Sequence, residues 1–262
     1  MMVRRFLLLT LLAGLCWFQF IQDSSAASLV QRSGDLFDRR PARTILIVGN
    51  SRTYFNDMPA MLREIADSAD DPTKFEIETV AEPGASFETL FGEARTRRLL
   101  AAGWDDVVLQ GESRGQSNDT LVRSFSDYGA RLAAIAKLRG HRPMLVINWA
   151  YDPSLYENDQ LGVGRDEHMT RIKAVHRRLA SDAGLDAANV AGVWEKARLA
   201  RPKLALTLDG NHPTLAGSYL FALALYARLT DRPIKDVGYV PDGLDPADAA
   251  YLRDAVADYP LS

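Results

Sequence analysis

Thr44-Ile45-Leu46-Ile47-Val48-Gly49-Asn50-Ser51 decides the fold. Apolar and β-branched residues run without a polar interruption into Gly-Asn-Ser. A continuous run of this kind is a strand buried on both faces, as in a parallel sheet. Gly49 and Asn50 end it. Asp57-Met58-Pro59 then opens a helix, with Asp57 as cap and Pro59 in the first turn. Ser51 thus stands just past the carboxyl end of a buried strand, at the edge where open α/β sheets bind ligands. Serine is also common in ordinary turns, so its position alone decides nothing.

Outward from this strand, the chain alternates. Met58, Met61, Leu62, Ile65 and Ala66 lie at helical spacing over 57–69, and Phe75–Val80 alternates with period two, as a half-exposed edge strand does. Ser86 caps a helix expected to reach Ala102. Strands are expected at 104–110 and 143–149, and a short fifth one at 189–193. Helices are expected at 121–138, 167–183, 214–229 and 245–258. Five strands with helices between them make an α/β fold: a mostly parallel five-stranded sheet with right-handed crossovers and helices on both faces.

The chain has 262 residues, 47% hydrophobic and 25% charged, an ordinary globular composition. Arg4 and Arg5 precede an apolar run from Phe6 to Ile21, and Ser24-Ser25-Ala26-Ala27 supplies small residues for cleavage. That is the order of a secretory signal. It sets three segments: a signal peptide at 1–27, an N-terminal linker at 28–43, and one globular domain at 44–262. Export to the periplasm or medium is expected, with an uncleaved membrane anchor as the alternative. Cys16, the only cysteine, would leave with the signal, so no disulfide supports the mature chain. Cleavage removes two basic residues and one acidic one, taking the net charge from -3 to -4. Mild acidity gives no sign of nucleic-acid binding, and no stable membrane insertion is expected once the signal is cut.

Turns at Ser51, at Gly84 and at Gln110-Gly111-Glu112 follow strands and share one sheet edge. Asp209-Gly210-Asn211-His212 is a late loop. A serine hydroxyl attacks an acyl carbon only when a base takes its proton, and His212 is a base whose tautomer Asp209 can fix. The oxyanion needs fixed donors, for which the Ser51 and Gly84 N–H groups and the Gln110 amide are candidates.

These blocks resemble the SGNH (GDSL-like) hydrolase superfamily over about residues 44–230. Gly49-Asn50-Ser51 is similar to its first block, with Asn50 where Asp is commoner. Gly84 is similar to the glycine of the second block, and Asp209-Gly210-Asn211-His212-Pro213 to the fifth. Leu109-Gln110-Gly111-Glu112 replaces the usual Gly-x-Asn-Asp and is similar to the Gln-Gly-Glu of acetylesterase branches. The resemblance implies a flavodoxin-like three-layer α/β/α sandwich and a serine esterase with catalytic Ser51, His212 and Asp209. It implies an oxyanion hole of Ser51, Gly84 and Gln110, and neither metal nor organic cofactor. Short acyl esters, acetyl foremost, are the expected substrates, small or carried on carbohydrate. Acyl transfer from the same site and a non-catalytic carbohydrate-binding relative are the alternatives.

Glu112 is expected to accept a hydrogen bond that orients Asn50, Ser51 or a loop. Trp149 and Tyr151 are expected in the core or as a substrate wall. Gly115-Gln116-Ser117-Asn118 imitates a nucleophile motif but follows no strand. His141, His168 and His176 read as turn or helix-surface residues, with too few neighbouring ligands for zinc.

Overall fold

The computed structural model describes residues 39–157 and 162–261, and a compact unit begins at Ala42. The signal peptide of 1–27 and the linker up to residue 38 lie outside the described residues. Strand β1 spans Ala42–Asn50, so Ala42 and Arg43 belong to the sheet rather than to the linker. They pair with Lys74 and Phe75, and the Arg43 guanidinium reaches Asp106 at 2.7 Å.

Helix α1 (Ser51–Tyr54) is one turn that starts directly after the strand's last residue, and α2 (Met58–Ser68) follows. Asp57 caps α2 through the Ala60 N–H. Next come edge strand β2 (Lys74–Glu82), α3 (Phe87–Gly92) and α4 (Ala94–Leu100). The single helix expected over 86–102 is broken: Gly92, a poor helix former, is followed by Glu93 in extended backbone. Then follow β3 (Asp106–Leu109), α5 (Asp119–Leu138), β4 (Arg142–Val146) and α6 (Arg165–Ala183), which ends on left-handed Gly184.

The fifth strand is not at 189–193. β5 is Asp186–Ala188, and Val190–Ala200 is helix α7. The Asn189 side chain accepts the Gly192 N–H at 3.1 Å, so a cap turns this short apolar run into a helix start. Helices α8 (Leu215–Thr230) and α9 (Pro246–Ala257) complete the order. Among the described residues no helix is long and apolar enough to cross a membrane.

The sheet order is β2-β1-β3-β4-β5, all parallel. Ile45 and Ile47 face α2, α7, α8 and α9, whereas Leu46 and Val48 face α3, α5 and the end of α6. This is the three-layer α/β/α sandwich, and α8 is buried nearly all round between the sheet and α2, α7 and α9. Asn50 pairs with Glu82, Val48 with Leu109 and Leu109 with Leu145, so the loops after β1, β2, β3 and β4 open on one edge.

Three histidines expected at the surface are buried. His168 and His176 share the inward face of α6 with Ile172 and Leu179, because residues four and eight apart return to one side of a helix. The His168 ring bonds the Tyr156 hydroxyl at 2.8 Å, and the His176 ring donates to the Ile172 carbonyl at 2.8 Å. Burial drops the His176 pKa to about 4, so it is a neutral core imidazole. His141 bonds the backbone of Trp104 and Leu100. In the Gly115–Asn118 motif, Gln116 and Ser117 are buried and Asn118 caps α5 at the Leu121 N–H, 3.0 Å away, which makes this stretch a helix entry.

Candidate active site

Asn50 joins β1 to α1. Its side-chain oxygen accepts the Arg52 N–H at 3.1 Å, capping the turn that carries Ser51. Its amide nitrogen donates to the Ala85 carbonyl at 3.3 Å, fastening the turn after β2. Gly84 sits in that turn with φ +67°, exposed, and a Cβ there would meet nothing within 4 Å. What glycine supplies is the left-handed backbone, which costs other residues roughly 1 kcal/mol.

Gln110 was expected to offer its amide to the cleft. Instead it is fully buried. Its oxygen accepts the Asn50 N–H at 3.0 Å and the Thr53 hydroxyl at 2.8 Å. Its amide nitrogen donates to the Gly111 carbonyl at 2.5 Å and to the Asn148 side-chain oxygen at 3.3 Å. Both donors are spent inside the protein, so Gln110 ties the ends of β1, β3 and β4 together and leaves no hydrogen for an oxyanion. Gly49 makes room for this: a Cβ there would come within 2.8 Å of the Gln110 oxygen.

The Asp209–His212 loop lies across the same edge. One Asp209 oxygen accepts the N–H groups of Asn211 (2.9 Å) and His212 (2.8 Å), and the other accepts from His212 Nδ1 at 2.7 Å. With Nδ1 donating, Nε2 faces the Ser51 hydroxyl as acceptor, at 3.0 Å. Burial pushes the Asp209 pKa up, but the His212 ring and the two backbone N–H groups outweigh it and hold the pKa below the ordinary carboxylate value. Hydroxyl, imidazole and carboxylate therefore stand in line, the arrangement that removes a serine proton during attack.

The surroundings of His212 were not legible as site residues. Phe55 stacks on the imidazole with centroids 4.4 Å apart and planes 12° from parallel. Asn56 and Asp57 hold left-handed backbone, φ 52° and 50°, and the Asn56 amide donates to the Pro213 carbonyl at 3.0 Å. Trp149 is not a substrate wall. It is fully buried and stacked on Trp194 at 4.0 Å, and its indole N–H donates to the Asn211 carbonyl at 3.2 Å. Tyr151 is half-buried, with the Arg52 guanidinium 5.1 Å from its ring centroid.

Glu112 lies against the start of α3. Burial raises its pKa to about 7, and nearby Glu88 adds to this, against the backbone N–H groups of Glu112 and Phe87. Among the described residues, no three His, Cys, Asp or Glu gather as a metal site.

Among solved structures, one described as an SGNH hydrolase from Slackia heliotrinireducens is 30% identical, and the match covers 72% of this chain and 99% of that one at a TM-score of 0.63. The chain belongs to the SGNH hydrolases. An acetyl xylan esterase shares the fold at 16% identity, covering 70% of this chain and 98% of that one with a TM-score of 0.59. A GDSL-like lipase from Parabacteroides merdae does so at 15% identity, covering 74% and 98%, TM-score 0.60. No family model and no curated protein matches. This SGNH hydrolase is thus an enzyme with a hydrolase's fold.

Proposed function

We propose that this SGNH hydrolase is a serine esterase acting on short acyl esters, acetyl foremost, borne by carbohydrate. The observation that carries the reading is the line from Ser51 Oγ through His212 to Asp209, at 3.0 and 2.7 Å. Ser51 Oγ attacks the acyl carbon while its proton passes to His212 Nε2. The carbonyl oxygen becomes an oxyanion facing the Ser51 and Gly84 N–H groups. Collapse expels the alkoxide, which takes the proton from His212. Water then attacks the acyl-Ser51, giving its proton to His212; collapse releases the acid as His212 returns that proton to Ser51 Oγ. Asp209 keeps His212 in the required tautomer and balances the imidazolium charge.

Acetyl and carbohydrate preference are supported by Gln110-Gly111-Glu112, by the fold shared with an acetyl xylan esterase, and by the expected export of the chain. The test is hydrolysis of p-nitrophenyl acetate, butyrate and octanoate, then acetylated xylan, by the mature chain beside Ser51→Ala and His212→Ala. Turnover falling with acyl length and lost in both variants supports the reading. Turnover that survives Ser51→Ala, or that favours octanoate, overturns the corresponding part. Sequencing the amino terminus of exported protein tests cleavage after Ala27.

A further inference from the structure

Arg52, the residue after Ser51, is nearly fully buried. A buried guanidinium is expensive unless its N–H groups are bonded and its faces covered. Here Nε donates to the Asn211 side-chain oxygen at 3.0 Å, and one terminal nitrogen to the Trp149 carbonyl at 2.7 Å. The plane lies over the Trp149 ring, 4.5 Å from its centroid, and over Tyr151. Trp149 in turn donates its indole N–H to the Asn211 carbonyl. Arg52, Trp149 and Asn211 close a triangle, and Asn211 immediately precedes His212. Arg52 and Asn211, the chain neighbours of Ser51 and His212, are thereby linked across a sequence separation of 159 residues. Burial lowers the Arg52 pKa to about 10, so the guanidinium is charged at neutral pH.

We infer that Arg52 is the positioning residue that sets the Ser51–His212 distance, acting through Asn211 rather than by touching substrate. The inference rests on the serine-esterase reading. A planar fork is what the place requires: two acceptors in different directions and two aromatic rings against the plane. A lysine ammonium keeps the charge but supplies neither. A shift of about 1 Å in such a pair costs up to about 100-fold in rate while substrate binding is little changed.

The experiment uses the full chain with p-nitrophenyl acetate and a fluorophosphonate probe, and compares Arg52→Lys, Asn211→Ala and the double variant. Ser51→Ala serves as the separate control. Expected is a fall in kcat of about 10- to 100-fold in each single variant, with KM within about threefold and slower labelling of Ser51. The double variant should lose no more than Arg52→Lys alone, because both changes break one contact. Asn211 is half-exposed on a loop, so its variant reports even where Arg52→Lys folds poorly. Wild-type kcat in Asn211→Ala, full additivity in the double variant, or a rise in KM at constant kcat overturns the inference. Turnover retained by Ser51→Ala overturns the serine reading itself.

Discussion

On the serine side of the cleft, Gln110, Asn148, Asn50 and Thr53 bond one another inside the sheet edge. On the histidine side, His212 stands on a loop without helix or strand, tied down by separate contacts from Arg52, Trp149, Asp152, Asn56 and Phe55. The serine is placed by the same bonds that close the sheet, so displacing it means opening the core. The histidine is placed by ties that can break one at a time. Breaking the bonds that place the serine should therefore appear as lost stability, and breaking the ties that place the histidine as lost rate with the fold intact.

The sharpest test of this contrast lies at its two ends. Ser51→Ala and His212→Ala should each lower kcat by about 10⁴-fold or more, with melting temperature shifted by no more than a few degrees. A melting loss in His212→Ala as large as that of Gln110→Ala would break the contrast. Next comes Gln110→Ala. It strands the Asn50 N–H, the Thr53 hydroxyl and the Asn148 side-chain oxygen, and should cost about 2–4 kcal/mol in urea unfolding. Lost turnover at full stability would instead restore Gln110 as an oxyanion donor.

Glu112 adds a pH arm on the serine side. Its folded pKa of about 7 lies above the ordinary 4.5, so the folded state holds the proton more tightly than the unfolded chain. Its stabilising contribution is present below about pH 4.5 and is lost as pH rises through about 7. Glu112→Gln should flatten that slope and raise stability at pH 8 by about 1–3 kcal/mol, read by urea unfolding at pH 5 and pH 8. The smallest expected effect is Phe55→Leu. Losing the stack on His212 should lower kcat by about three- to tenfold, equivalent to about 0.5–1.5 kcal/mol, with urea unfolding unchanged.

Much of the fold was open to reading because its signals are local. The run Ile45–Val48 is buried on both faces wherever it is placed, and the caps at Asp57, Ser86 and Asp245 act within three residues. The misplaced fifth strand shows the limit. Val190–Val193 is apolar in either conformation, and only Asn189 turning back on Gly192 selects helix. His168 and His176 were misread for a related reason: a polar residue on a weakly amphipathic helix does not announce which face meets the core.

The site divides along the same line. Asp209 and His212 are three residues apart in one loop, and Ser51 directly follows a strand, so their chemistry is written in short stretches of chain. The direction of the Gln110 amide is not, because it follows from Asn148, 38 residues away. Nor are the roles of Arg52 and Phe55, whose partners Asn211 and His212 lie more than 150 residues on. Local hydrogen bonds and apolar periodicity act within a few residues and can be read along the chain. Which polar group is buried, and what it meets there, is settled only when distant segments pack and every donor must find an acceptor.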